Sequence, residues 1–428
     1  MPNVPLTSGE QAGIATNIDV DTAITYQEMV GFGATITDAS AWLIQTKLSP
    51  TQREALLQDL FGRTNGIGLS FTRMTIGASD FSRTHYTFDD VSAGKTDSAL
   101  AHFSIDANGS DVLPVVKRAL AINRDLRVMA SPWSAGVDED DGQPHQGHPA
   151  RRCVSGVRRL PAPVRAGVSG RRRADVRHHA AERAALRAGE LPGHLTPAQR
   201  AAIIGNHVGP LFDRYGIPTR ILDWDHNWDE PESPLAVLED SSARRYVAGV
   251  AWHCYNGDVG AQAPVHDPYP EKEVYFTECS GGQWAPNWAD NLAWYVRTLI
   301  IGSTRGRAKG VLLWNLALDE SHGPHLGGCG DCRGVVTIDS RTGTVTRNEE
   351  YYALAHASRF VRPGAKRIAS ATGVDSLETV AFRNADDGST VLIAVNTGKL
   401  GRTFAVRSSA RSFRFKLPPG AVVTFRWQ

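Results

Sequence analysis

The chain is poor in several features that would assign it to a particular class of protein. Its 428 residues carry a net charge of +1, which creates no overall field that would attract nucleic acid or a membrane surface. No apolar run approaches the ~18 residues of a transmembrane helix. The first residues, MPNVPLTSGEQAG, have neither a basic start nor an apolar core, so we predict no signal peptide. The protein is therefore expected to be cytoplasmic, or secreted by a signal that lies upstream of this sequence.

Cysteine is also scarce, and an odd, sparse set of five does not predict a disulfide framework. Cys329 and Cys332 form one C-x-x-C in GGCGDCRG, which supplies only half of a zinc site. A local loop feature, either two thiols or a small disulfide, is therefore favoured over a metal site. The other cysteines are Cys153, Cys254 and Cys279.

Short apolar runs alternate with helix-like stretches over most of the chain. The runs that indicate buried strands are 68–77, 125–133, 220–226, 246–255, 273–278 and 310–318. Strand–helix alternation is typical of a parallel sheet with crossover helices. Polar and aromatic residues stand at the ends of these strands, where a (β/α)8 barrel has its active site. We therefore predict an α/β fold with a (β/α)8 TIM barrel.

The pattern changes near residue 356, where short strands of period-two alternation begin. LETVAFRN, STVLIAVNTG, RTFAVRSS, RSFRFKL and AVVTFRWQ are separated by Gly, Asn, Asp and Ser, which predicts a C-terminal antiparallel β-sandwich domain. The early stretch 18–29 could add a strand to it. The predicted domains are a catalytic barrel over 30–355 and a side domain made of 1–29 and 356–428.

Residues 136–192 do not fit this pattern. They contain eleven Arg but no Phe, Tyr, Trp, Ile, Met, Lys, Asn or Thr, so little apolar surface is available to offset the entropy of ordering. We expect that such a segment cannot supply a barrel strand. A disordered basic insertion is the simple interpretation, and the residue types also resemble GC-rich DNA translated in the wrong frame.

Back-translation supports a frameshift. Val137 to His145 can be encoded so that skipping one base gives Trp-Met-Lys-Thr-Thr-Gly-Ser-Leu, and the same skip over His179 to Ala184 gives Met-Gln-Gln-Asn-Glu-Pro. The next residues give Arg-Phe-Glu-Pro-Ala-Asn-Tyr-Pro before the chain returns to sense at PGHLTPAQ.

Six motifs carry a resemblance to one enzyme family. They are GFGATITDAS (31–40), FTRMTIGASDFS (71–82), ASPWS (130–134), WHCYNG (252–257), YFTEC (275–279) and WNLALD (314–319). In this order they resemble glycoside hydrolase family 30, the glucosylceramidase-like β-glycosidases. Trp-Met-Lys-Thr and Asn-Glu-Pro of the shifted frame are similar to two further motifs of that family.

The resemblance implies that Glu278 is the nucleophile of a retaining hydrolysis that needs no cofactor or metal. Its place at the end of the strand EVYFTE suits this role, although a strand-end Glu can also be structural. Retention needs a second carboxylic acid ~5–5.5 Å away. In the family it is the Glu of Asn-Glu-Pro, whose codon here spans Arg183 and Ala184, so the acid/base is absent as written. Glu182 and Glu190 lie nearby but lack the motif.

The same resemblance implies a substrate-binding set around the nucleophile. Arg73 and Asp80 match polar positions, and the alternative is an ordinary barrel salt bridge. Trp133 and Trp314 resemble subsite tryptophans, on which a sugar packs its C–H face, and the alternative is core packing.

Two further residues of this set share one strand. His253 and Tyr255 lie two apart and so point to the same face, beside the nucleophile. A lone His is more often structural. Asp225, His226 and Asp229 resemble a strand-end loop near the site and receive no role.

The activity that follows from the resemblance is cleavage of a β-glucosidic bond through a glycosyl-enzyme on Glu278. Glucosylceramide, β-1,6-glucan and other β-linked oligosaccharides are candidate substrates, because specificity lies in loops that a shared scaffold does not fix. One alternative is a catalytically inactive sugar-binding relative that keeps the aromatic residues but lacks the acid. A nucleic-acid binder using the basic residues 151–187 is disfavoured, because that stretch has no aromatics for base stacking.

Overall fold

The computed structural model describes residues 16–92, 97, 101–133, 177–179, 195–408 and 411–428. Its strands are β1 (Asn17–Glu28), β2 (Gly31–Thr35), β3 (Phe71–Ile76), β4 (Arg127–Pro132), β5 (Arg177–His179), β6 (Arg220–Asn227), β7 (Val247–His253), β8 (Glu273–Glu278), β9 (Gly281–Gly282), β10 (Ala308–Asn315), β11 (Ala317–Asp319), β12 (Cys332–Arg333), β13 (Val336–Ile338), β14 (Val345–Arg347), β15 (Lys366–Ser370), β16 (Leu377–Arg383), β17 (Thr390–Asn396), β18 (Arg402–Ser408), β19 (Arg411–Leu417) and β20 (Val422–Trp427).

The described helices lie mostly between the strands of the first 360 residues. They are α1 (Asp38–Thr46), α2 (Pro50–Phe61), α3 (Val112–Ile122), α4 (Pro197–Ala202), α5 (Gly209–Arg214), α6 (Glu232–Glu239), α7 (Ser241–Arg244), α8 (Gln262–His266), α9 (Trp288–Trp294), α10 (Ser303–Arg305) and α11 (Glu349–Ser358), with wider π-helical turns at Ile203–Val208 and Tyr295–Gly302 and 3-10 turns at Asp106–Asn108 and Val259–Ala261. None of the helices in this described part is long and apolar enough to cross a membrane.

Eight parallel strands close into a barrel in the order β10-β2-β3-β4-β5-β6-β7-β8. Seven further strands form the C-terminal sheet β19-β18-β1-β15-β16-β17-β20. The barrel with its C-terminal sandwich domain confirms the predicted fold class. β1 pairs with β15 and β18, so the first described strand belongs to the C-terminal sheet, as the early stretch suggested.

The expectation that residues 136–192 cannot supply a barrel strand was wrong. Three of them form β5, whose backbone pairs in register with β4 and with β6. The physical reason is that ladder hydrogen bonds use the main chain of any non-proline residue, and a barrel without this strand would leave two unpaired edges. A poor side-chain composition therefore does not prevent a short strand from filling the gap.

Strand alternation builds the barrel interior in layers. One buried apolar layer takes a side chain from each of six strands: Phe71, Met129, Leu222, Ala251, Tyr275 and Leu312. Because strand side chains repeat every second residue, the next inward positions lie two residues further on, nearer the carboxyl ends of the strands. These positions are Arg73, Ser131, His253, Thr277 and Trp314, and in β6 an irregular backbone places Asp225 there instead of Trp224. The second layer is therefore mostly polar, and it forms the floor of the candidate site.

The C-terminal sheet packs against the barrel through apolar side chains. Val380, Phe382 and Val391 belong to the same buried cluster as the residues between the barrel strands and their helices. A second cluster, which includes Ile18, lies within the sandwich itself. The side domain is therefore joined to the barrel by a shared core.

Candidate active site

Glu278 is the last residue of β8 and is completely buried at the carboxyl end of the barrel. Its two carboxylate oxygens have different partners. Oε2 accepts a hydrogen bond from Arg73 Nη1, and Oε1 accepts one from the Tyr255 hydroxyl at 3.0 Å. A carboxylate held at both oxygens has a fixed orientation, which a nucleophile requires.

Arg73 joins Glu278 to a second carboxylate, that of Asp225. Its Nη2 donates to Asp225 Oδ2 at 2.6 Å and to Ser131 Oγ at 3.1 Å. The side chains of Arg73, Asp225 and Glu278 are at most 2% exposed, so this charge cluster lies out of water. At such depth ion pairs are screened little, and Arg73 is a cation that contacts both carboxylates.

Asp225 reaches this cluster because the backbone of β6 is irregular. Regular alternation would turn Trp224 inward, but Trp224 and Asp225 both adopt left-handed φ values, 79° and 56°, and the pairing with β7 shifts there by one residue. Trp224 consequently packs in the outer core, against Arg200. A left-handed conformation costs a non-glycine residue roughly 1–2 kcal/mol, so the fold maintains a strained bulge that aims Asp225 inward.

Three more side chains complete the polar layer around Asp225. His253 Nε2 lies 2.9 Å and Thr277 Oγ1 2.7 Å from Asp225 Oδ1, and Ser131 Oγ donates to Oδ2 at 2.7 Å. We assign the His253 proton to Nε2, because its partner is a carboxylate. Asp225 therefore accepts hydrogen bonds at both oxygens and acts as an organiser of the layer.

An irregularity in the pairing of β8 allows two consecutive residues, Thr277 and Glu278, to contribute side chains to the candidate site. Trp252 of β7 pairs with Phe276 and His253 pairs with Glu278, so Thr277 is an extra residue in β8. Because of this irregularity, Thr277 contacts Asp225 while Glu278 contacts Arg73 and Tyr255.

The two predicted subsite tryptophans lie beside Arg73. Trp133 and Trp314 stack on each other with ring centroids 5.4 Å apart, and the Arg73 guanidinium lies over the Trp314 ring at 5.2 Å. They are 6% and 1% exposed, so most of their surface already contacts protein. That they present an indole face to a sugar stays a prediction. Asp80 lies in the loop after β3, where its carbonyl oxygen accepts from the Leu326 N–H at 2.7 Å.

A disulfide that the sequence analysis did not predict lies next to Glu278. Cys254, between His253 and Tyr255, is bonded to Cys279, which follows Glu278. The bond ties the end of β7 to the end of β8. Cys329 and Cys332 form a second disulfide, the local loop feature that was favoured over a metal site.

Comparison of the sequence with models of known protein families identifies the same two domains. The model of the glycosyl hydrolase family 30 TIM-barrel domain matches residues 29–146 and 194–361, and the family 30 β-sandwich domain matches residues 364–425. The chain belongs to glycoside hydrolase family 30.

Two relatives of this chain carry names that indicate different substrates. An endo-1,6-β-D-glucanase of Neurospora crassa is 32% identical over 95% of this chain and 86% of its own length. The mouse lysosomal acid glucosylceramidase is 27% identical over 94% of this chain and 82% of its own length. Among solved structures, the endo-β1,6-glucanase BT3312 superposes with a TM-score of 0.85 at 30% identity, covering 98% of this chain and 95% of that one.

Of the residues in this cluster, the sequence analysis named Glu278, Arg73, His253 and Tyr255 but missed the ones that organise it. It gave Asp225 no role and did not single out Ser131 or Thr277. Ser131 and Thr277 each stand two residues after an apolar residue that points into the barrel, so strand alternation could have identified them. Glu182 and Glu190, which lack the motif of the acid/base, lie outside the described residues.

Proposed function

We propose that the chain is built as a retaining β-glycosidase for β-1,6-linked glucans, with Glu278 as the nucleophile. The observation that carries the proposal is the buried contact of Glu278 with Arg73 and Tyr255 at the carboxyl end of the barrel. Arg73 favours the ionised form of the carboxylate, and Tyr255 fixes the second oxygen. Attack on the anomeric carbon would form a glycosyl-enzyme, which water then releases with retention.

The substrate class rests on the relatives. Those named as endo-1,6-β-D-glucanases, from Neurospora crassa and Trichoderma harzianum, are 32% and 30% identical over 95% of the chain, and a solved endo-β1,6-glucanase supports the same choice. The glucosylceramidases are less similar, so glucosylceramide is the second candidate substrate.

The general acid is proposed to be missing from this polypeptide. The family model matches on both sides of residues 147–193 but not across them, which supports a shifted reading frame there. Among the residues that the structure describes, the carboxylate that shares Arg73 with Glu278 is Asp225, which accepts hydrogen bonds at both oxygens and is poorly placed to donate a proton. Loss of general acid catalysis would cost ~10²–10⁴ in rate for alkyl leaving groups.

The same observations favour one alternative, a sugar-binding relative that no longer hydrolyses. It would retain the polar layer and the tryptophans but form no covalent intermediate. Azide distinguishes the two, because this small anion attacks a glycosyl-enzyme without help from a base. A nucleophile that works without its acid partner releases β-glucosyl azide from an activated aryl β-glucoside, whereas a pure binder releases nothing.

The test compares the chain as printed with a frame-corrected version, in which only the codons of residues 137–192 are read in the shifted frame, so that Trp-Met-Lys-Thr and Asn-Glu-Pro are restored. We expect the printed chain to cleave the aryl glucoside slowly, with azide stimulation, and to leave β-1,6-glucan intact. The corrected chain should cleave both, and Glu278→Gln should abolish turnover in each. Activity of Glu278→Gln within tenfold of its parent would disprove the nucleophile, and normal cleavage of β-1,6-glucan by the printed chain would disprove the loss of the acid.

A further inference from the structure

An open cavity of about 620 Å³ lies directly beside the nucleophile. Its wall includes the Cys254–Cys279 disulfide, Tyr255 and the segment 280–295. Tyr255 belongs to both places, because its hydroxyl donates to Glu278 and the residue also lines the cavity. The cavity therefore borders the candidate active site at Tyr255, and its volume is typical of ligand sites.

Three large aromatic side chains line this cavity and remain open to solvent. Trp284 is 55% exposed, Tyr255 45% and Trp294 41%. Indole rings are normally much more buried, so two half-open tryptophans in one cleft indicate a surface that is covered by a ligand. The flat, apolar C–H face of a glucose ring suits such a surface.

The loop that carries Trp284 is built to hold the ring in place. Strand β9 (Gly281–Gly282) pairs with β12, and the next N–H, that of Gln283, donates to the carbonyl of Asp331 at 3.0 Å. The Trp284 ring lies against Gly282, where an added Cβ would stand 1.9 Å from a ring atom. Glycine is therefore required for this packing, and Trp284 remains 55% exposed at the cavity. A platform fixed in advance loses less entropy on binding.

We propose that this cleft, lined by Tyr255, Trp284 and Trp294, binds a glucose unit of a β-linked glucan next to the unit held at Glu278. The inference rests on the proposed function and deepens it, because it assigns a place for a longer carbohydrate chain. Ser280, Asn287 and Asp290 also line the cavity. Their polar groups can bond sugar hydroxyls, whereas a lipid tail would desolvate them without compensation.

The test measures binding, so it uses the chain as printed and needs no turnover. Calorimetric titrations use deoxynojirimycin, a glucose-sized iminosugar, and the series of β-1,6-glucose oligomers from disaccharide to pentasaccharide. Affinity should rise with oligomer length. In Trp284→Ala the affinity for the tetrasaccharide relative to the iminosugar should fall about fivefold to tenfold, the range expected for loss of one ring contact.

Two further variants control the assignment. Gly282→Ala should have the effect of Trp284→Ala, because the added methyl displaces the ring. Trp288→Ala should leave the ratio unchanged, because Trp288 is comparably exposed at 46% but packs on Tyr352 and does not line the cavity.

The possible outcomes distinguish a failure of the cleft assignment from a failure of the proposed function. If the iminosugar binds but affinity is independent of oligomer length, or if Trp284→Ala leaves the ratio unchanged, the cleft assignment is wrong and the proposed function stands. If octyl β-glucoside loses affinity in Trp284→Ala and the tetrasaccharide does not, the occupant is an alkyl chain and the assignment is also wrong. If neither the iminosugar nor any oligomer binds, the proposed function fails and the cleft assignment with it.

Discussion

The buried cluster of Arg73, Glu278 and Asp225 predicts a strong energetic coupling between its members. In the folded chain one guanidinium lies between two carboxylates, and all three are out of water. Replacing Arg73 by Met removes this cation from beside two buried carboxylates, which typically costs about 3–5 kcal/mol. Replacing Glu278 by Gln in that background removes one of the two negative charges, so part of the lost stability should return.

The magnitude follows from the distance between the charges. At roughly 4 Å between charge centres and an effective dielectric constant near 20, the attraction is about 4 kcal/mol, and relaxation reduces what is measured. We therefore expect the effect of Glu278→Gln on the free energy of unfolding to differ by about 2–4 kcal/mol between the wild-type and Arg73→Met backgrounds.

The measurement is urea-induced unfolding of the four proteins of this double-mutant cycle, followed by tryptophan fluorescence. The matched control is the Arg118–Glu54 pair between α3 and α2, in which both side chains are 44% exposed. Its cycle, Arg118→Met with Glu54→Gln, should give a coupling below about 1 kcal/mol. A buried coupling no larger than this exposed one would refute the idea that burial strengthens the ion pairs of Arg73.

Two further predictions concern how the side domain is held on the barrel. Burial lowers the pKa of His356, which contacts Thr424 of β20, to about 4. Between about pH 4 and pH 6.5 the unfolded state therefore binds more protons than the folded state. When the pH falls from 8 to 5, the free energy of unfolding should decrease by about 2 kcal/mol more in the wild type than in His356→Asn. An equal pH dependence of the two proteins would contradict this prediction. Deleting residues 362–428 should leave an insoluble barrel, because Val380 and Val391 belong to the shared core; a soluble, cooperatively folding truncation in a denaturation assay would argue for an independent barrel.

Much of the fold was predictable because apolar runs and strand ends are local signals. The run EVYFTE corresponds to β8 over the same residues, 273–278, and RSFRFKL corresponds to β19. Buried parallel strands have few polar residues inside them, so a Glu at the end of a run stands out. The position of Glu278 at the carboxyl end of the barrel could therefore be predicted directly from the sequence.

Other features depend on backbone geometry or on distant pairing and could not be predicted in this way. Asp225 follows Trp224, and alternation from Leu222 would place the tryptophan inside the barrel. Only the left-handed bulge reverses this order, and neither of the two residues that form it is a glycine, which would have indicated it. The Cys254–Cys279 bond likewise depends on β7 and β8 being neighbours, which spacing in the sequence does not reveal.

The described contacts around Glu278 are made by side chains that lie outside residues 136–192. They come from β3, β4, β6, β7 and β8, and Tyr255 follows β7. Residues 177–179 contribute their backbone, by pairing with β4 and β6. Restoring the reading frame should therefore supply the acid partner and keep these described contacts of Glu278. This separation explains why glycosylation by an activated substrate and cleavage of a glucan are expected to respond differently to the same frame correction.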